Sequence, residues 1–239
     1  MRTKQLIFFS LLTALSFYSC KKENKTEQAE ISNTVVNTKK AETITKIEQL
    51  PYYNTPDFNP TWLPTDDELK MFHKIPKFSF TNQLGKEVTN ETLKGTIYVA
   101  NFFFTTCPNI CIQLTKNMHK LQEKYADDNE IKLISHSVFP SNDTVEVLKE
   151  YGERQHVNPE KWHLVTGEKE KIYQLAREAY FADEVYKKTH EKDRFMHTEN
   201  LILIDKQGHI RGVYKGTLPE EVLRIQRHIE ILKNEKSIS

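Results

Sequence analysis

The chain is short of the residues that build unusual architectures. Seven glycines and nine prolines in 239 residues exclude a collagen-like or low-complexity chain and leave ordinary packed secondary structure. An excess of one charge is also missing. Lys plus Arg total 34 against 33 for Asp plus Glu, a formal net charge of +1, so no whole-molecule field draws in nucleic acid or another polyanion. Three cysteines are too few for a disulfide framework or a four-cysteine zinc site. No apolar run reaches the roughly 20 residues of a helical membrane span, and no internal repeat is evident. Large apolar rings are plentiful: 13 Phe and 10 Tyr can fill a core, and the length suits one domain with appendages.

The first twenty residues read as a targeting segment. Arg2 and Lys4 make a basic start, an apolar run follows from Leu6 to Tyr18, and Ser19-Cys20 ends it. A small residue before a cysteine resembles the lipobox of bacterial lipoproteins. That resemblance implies acylation of Cys20, a lipid anchor in the cell envelope and a domain facing the periplasm; an ordinary signal peptide with an incidental cysteine is the alternative. Residues 21 to 50 are expected to be a flexible tether, because up to Gln49 they hold no aromatic residue, Gly or Pro and cannot offset their ordering entropy. The folded domain is placed at residues 51 to 233, with a tail at 234 to 239. Its first stretch, Pro51 to Pro64, carries Tyr52, Tyr53, Phe58 and Trp62 and reads as an extended segment laid over the domain.

Beyond it, strands and helices alternate. Phe78 to Phe80 predicts a short strand, and Thr96 to Phe104 is a nearly continuous apolar run of the buried-strand kind. After Pro108, Cys111, Leu114, Met118, Leu121 and Tyr125 recur at spacings of three and four, the inward stripe of a helix. Ile131 to Val138 predicts a strand, and Asn142 or Asp143 can cap a helix with Val145, Leu148 and Tyr151 inward. A strand from Trp162 to Val165 and a helix from about Glu168 to Ala179 follow. Residues 182 to 194 are charge-rich and read as an exposed excursion. Leu201 to Ile204 and His209 to Tyr214 form a hairpin about Lys206-Gln207-Gly208. Pro219 opens a last helix with Val222, Ile225, Ile229 and Leu232 on one stripe. This order predicts an α/β protein, a central mixed sheet flanked by helices with an N-terminal extension.

The chemistry concentrates at Cys107-Pro108-Asn109-Ile110-Cys111. The first cysteine is expected where a buried strand turns into a helix, with Pro108 in the helix's first turn and Cys111 on the same face. Near a helix N-terminus the macrodipole favours thiolate. By spacing alone the pair could equally be a structural disulfide, two inert thiols or chance. Three intervening residues, where a thioredoxin-type redox pair has two, favour a chelating loop.

The stretch from Phe78 through Leu114, with Phe102-Phe103-Phe104-Thr105-Thr106-Cys107-Pro108 and Cys111, resembles the signature of the Sco/SenC family. The resemblance continues through Asp143-Thr144 to Lys149, Trp162 to Gly167, Met196-His197-Thr198 and the hairpin from Leu203 to Tyr214. It implies a thioredoxin-like fold and a copper site formed by Cys107, Cys111 and His197. Two thiolates prefer Cu(I), and imidazole suits Cu(I) and Cu(II) alike. The chain departs from the family pattern at Asn109, at Ile112 and at Phe139, where an Asp is common; His136 is expected to point outward from its strand.

The implied function is a metallochaperone that delivers copper to the dinuclear copper centre of cytochrome c oxidase, with that oxidase's copper-site subunit as partner. Other copper chaperones or thioredoxin-like reductants are further implied partners. The alternative is a thiol-disulfide oxidoreductase in which Cys107 attacks and Cys111 resolves, with His197 dispensable.

Overall fold

The computed structural model describes residues 49–183, 188 and 198–235. All of them lie in the second of two compact units, Lys46–Ser239. Its N-terminal segment forms a two-residue ladder between β1 (Tyr52–Tyr53) and β2 (Pro60–Thr61), then the short helix α1 (Asp66–Lys70). Thr65 and Glu68 cap that helix reciprocally, each side chain taking the other's backbone N–H.

The centre is a seven-stranded mixed sheet built from β3 (Ser79–Asn82), β4 (Glu87–Thr89), β5 (Ile97–Phe103), β6 (Ile131–Ser137), β7 (Trp162–Thr166), β8 (Asn200–Ile204) and β9 (Ile210–Lys215). Their spatial order is β4-β3-β7-β6-β5-β8-β9. β5, β6 and β7 run parallel, and the outer pairs are antiparallel. Every residue of β5 is buried, as its nearly continuous apolar run, broken only by Asn101, predicts for a central strand covered on both faces.

The helices between strands are α2 (Asn90–Leu93), α3 (Ile110–Lys124), α4 (Val145–Arg154) and α5 (Lys169–Gln174), and α6 (Pro219–Asn234) follows the last strand. One face of the sheet offers Ile97, Val99, Phe103, Leu133 and Leu201 to the predicted stripes of α3, α4 and α6. The other offers Tyr98, Ala100, Phe102, Ile134 and Ile202 to Ile172, Leu175 and Ala179. The two periods interlock: alternation along β5 sends neighbours to opposite cores.

Four expectations are corrected. β4 was not anticipated, because Lys86-Glu87-Val88-Thr89 has one apolar residue; it is an edge strand, where charge is protective. The turn into it is set by Gly85 at φ +73° and by the Asn82 amide oxygen, which accepts from the N–H groups of Leu84 and Lys86. The helix expected through Ala179 changes at Leu175–Ala179 into a wider π turn, with Tyr180 N–H donating to Leu175 O at 3.2 Å. Residues Ala182 and Asp183 are fully buried, so no exposed excursion starts at 182; Lys188 is exposed, and the rest of the 182 to 194 stretch lies outside the described residues. His136 does not point outward: it is fully buried against Phe78, Phe80, Phe102 and Tyr180, because on β6 it alternates onto the aromatic face.

Candidate metal centre

β5 ends at Phe103, and the chain passes through Thr105-Thr106-Cys107-Pro108-Asn109 before α3 begins at Ile110. Pro108 thus precedes the helix instead of occupying its first turn, and Asn109, in the capping position, makes no side-chain cap. The sulfur of Cys107 takes over that role. It accepts the Cys111 N–H at 3.4 Å, which satisfies one of the amides that a helix start leaves unpaired.

The two thiols are unequal. Cys107 is partly exposed and Cys111 is buried, because Cys111 begins the inward stripe of α3 while Cys107 lies on the rim. Burial pushes the Cys107 thiol up. Hydrogen bonds from the Cys111 thiol and from the N–H groups of Asn109, Cys111 and Ile110 outweigh it and hold the thiol below its usual value. Cys111 is pushed up to about 12, first by burial and then by the hydrogen bond and charge of Cys107. The pair is close enough to hydrogen-bond sulfur to sulfur, and both cysteines are free thiols.

A buried carboxylate holds the loop in place. Asp143, fully buried, accepts from the Thr105 N–H at 3.1 Å, the Thr105 hydroxyl at 2.6 Å, the Ser137 hydroxyl at 2.6 Å and the Asn142 amide at 2.8 Å. It ties the residues just before Cys107 to the end of β6. Sequence reading gave Asp143 or Asn142 the cap of α4, but that cap is Thr144, whose hydroxyl accepts the Val147 N–H. The clamp was missed because its partners come from three separate stretches. Ile110 and Ile112, on either side of Cys111, are 44 % and 49 % exposed, and Phe139, just beyond β6, is 46 % exposed.

Of the residues singled out by sequence, Cys107 and Cys111 are brought together. His197 and Cys20 lie outside the described residues. The neighbour of His197, Thr198, is buried, and its N–H donates to Ala182 O at 3.2 Å. Because β8 runs antiparallel to β5, it begins at the end of the sheet where β5 finishes, which is the cysteine end. Among the described residues, no three His, Cys, Asp or Glu side chains converge as a metal site. The donor set there is two soft sulfurs, which suits a thiophilic ion and leaves a third ligand to be supplied.

Residues 66–230 match the SCO1/SenC family. A SCO1 protein homolog of Bacillus subtilis is 32% identical over 146 residues, covering 60% of this chain and 75% of that one. A SCO1/SenC family lipoprotein from Bacillus anthracis superposes with a TM-score of 0.60 at 28% identity, covering 68% of this chain and 96% of that one. A second solved structure, BsSco, described as a member of the Sco family of cytochrome c oxidase assembly proteins that carries a disulfide switch, gives 0.58 at 29% identity, covering 68% and 95%. The fold is thus thioredoxin-like, the family includes copper-binding proteins, and the chain belongs to the SCO1/SenC family.

Proposed function

We propose that this chain is a copper metallochaperone of the cell envelope. It holds one copper ion through Cys107, Cys111 and His197 and passes it to the dinuclear copper centre of cytochrome c oxidase, whose copper-site subunit is the partner. Cys20 carries the lipid anchor, and the chain after it, up to the buried Leu50, tethers the domain to the membrane surface at high local concentration. Other copper chaperones or thioredoxin-like reductants load or reduce the site.

The observation that carries this reading is the pair of free, adjacent thiols at the strand-to-helix junction, one partly exposed and one buried. The buried sulfur gives a fixed donor and the exposed one a donor that a client can reach. A three-coordinate ion bound by two sulfurs and a nitrogen moves on by ligand exchange without a vacant intermediate. Family membership supports the same reading. Copper titration of the reduced full chain should give one equivalent bound, and His197→Ala should weaken binding at least about tenfold, as loss of a ligand does. Unchanged affinity in that variant removes His197 from the site.

The inequality of the thiols also favours a second reading, a thiol-disulfide oxidoreductase. The Cys107 thiolate attacks one sulfur of a client disulfide and forms a mixed disulfide, releasing the client's other sulfur as thiolate. Cys111 then attacks Cys107, releasing the second client thiol; the chain is oxidised and the client reduced by two electrons. Client-disulfide reduction that survives His197→Ala but not Cys107→Ser supports this reading over the first.

A further inference from the structure

On the outer side of the sheet, the edge strand β9 and the helix α6 meet the N-terminal segment along a groove of about 510 Å³. Gln49, the first described residue, lines it, and so do Trp62 and Leu63, which directly follow β2. The cysteine loop takes no part in this groove, and β8 stands between β9 and β5.

The apolar lip of the groove is turned to solvent. Trp62 is 59 % exposed and Leu63 74 %, and Leu63 sits at φ +51°. A bulky residue strains the left-handed backbone, and a side chain left in water gives no packing in return. A leucine that is both strained and exposed points to contact with something outside the chain. On α6, Leu223 is 68 % exposed and stands one turn before Arg227 on the same face.

The charge lining this face has one sign. Three arginines line the groove and no carboxylate does. Arg211 is buried and committed to Asp205 and Glu235 at 3.1 and 2.8 Å. Arg224 lies over the Tyr214 ring at 4.8 Å and pairs with Glu221 at 2.7 Å, with its side chain still 45 % exposed. Arg227 is exposed, and among the described residues it has no hydrogen-bond or ion-pair partner. A guanidinium keeps its proton throughout the physiological range, so Arg227 is a standing, accessible cation.

We propose that this face docks on an anionic phospholipid surface, with Trp62 and Leu63 in the headgroup layer and Arg227, beside Arg224, against lipid phosphate. An indole ring is at home between water and acyl chains, and the guanidinium fork matches phosphate oxygens. An acidic peptide would answer the arginines equally well; the route of the chain favours the lipid. Only residues 21 to 48 stand between Cys20 and Gln49 on the groove's wall, so an anchor at Cys20 delivers this face to the bilayer, and tethering keeps even a weak contact occupied. In its choice of surface the inference rests on the reading of Cys20 as the lipid anchor.

The test mixes the full chain with vesicles of phosphatidylcholine, with or without phosphatidylglycerol, brominated near the headgroup, and reads tryptophan emission together with flotation. Of the two tryptophans, Trp162 is 1 % exposed, so quenching reports Trp62. Emission should be quenched on the phosphatidylglycerol vesicles, recover as salt is raised, and stay unquenched on phosphatidylcholine alone. Arg227→Gln, which removes no contact within the described fold, should lower the ratio of docked to free domain about fivefold, and Cys107→Ser should leave it unchanged. Equal quenching on both kinds of vesicle, or in the Arg227→Gln chain and the parent, would overturn the proposal. A chain that floats with both vesicles and is quenched on neither keeps its anchor and overturns the docking. A chain that fails to float with phosphatidylcholine loses the anchor reading instead; salt-sensitive binding and quenching on phosphatidylglycerol then uphold the docking, and their absence overturns it. Absence of quenching, with the Trp62 emission shifted by a glutamate-rich peptide, would assign the groove to an acidic protein partner and overturn the lipid.

Discussion

Two aspartates are buried at opposite ends of the sheet, and they are held in different ways. Asp143, at the cysteine end, is surrounded by neutral donors: a backbone N–H, two hydroxyls and an amide. Asp205, at the far end, is charge-compensated by Arg211 and braced by His209 and two backbone N–H groups. The neutral clamp locates a loop, and its failure is local. The charged cluster stitches the N-terminal segment and the end of α6 to the hairpin through Leu50, Pro51 and Glu235, and its failure strands a buried cation.

The largest effect should follow from breaking the charged cluster. Asp205→Ala leaves the Arg211 guanidinium short of a partner in a site 3 % exposed and should cost about 3 kcal/mol in urea denaturation. A loss no greater than that of an exposed ion pair would mean that Glu235 alone compensates the arginine. Asp143→Ala should cost less, about 2 kcal/mol, since unsatisfied neutral donors replace an unpaired charge. Hydrogen exchange should accelerate at Thr105 and Cys107 while the amides of β9 stay protected; uniform acceleration would show that the clamp is global.

His136 sharpens the comparison as a buried ionisable group with no partner at either ring nitrogen. Burial lowers its pKa from 6.5 to about 3. The folded state therefore refuses a proton that the unfolded chain accepts. Its contribution is intact above pH 6.5 and falls as pH drops from there towards 3, by about 1.4 kcal/mol per pH unit at most. In His136→Phe, stability should be flatter across this window than in the parent, and equal slopes would show that other groups set the acid limit. Besides the rings of Phe78, Phe80 and Phe102, the group facing His136 is Tyr180, whose hydroxyl is engaged with Tyr98 at 3.2 Å.

Much of this was legible in advance. The nearly continuous apolar run of β5 announced a central strand, and the stripes of α3 and α6 announced helices packed on it, because burial and period are local properties of the chain. Cys107 and Cys111 could be paired because four residues separate them at a strand-to-helix boundary. What escaped was long-range or weakly patterned. β4 has too little apolar content to register, and the π turn has the same apolar spacing as an α-helix. His136 looked like a polar residue on a strand and proved to be the centre of an aromatic box. Asp143 and Asp205 depend on donors far away in sequence, which no window of neighbouring residues reveals.

The capping role of the Cys107 sulfur couples occupancy to helix order. The first turn of α3 borrows one of its acceptors from the Cys107 sulfur, so whatever engages that lone pair competes with the Cys111 amide for it. Ile110 and Ile112 ride on the same turn, one residue to either side of Cys111. Engaging the sulfur therefore takes one hydrogen bond from the turn that carries these two exposed isoleucines.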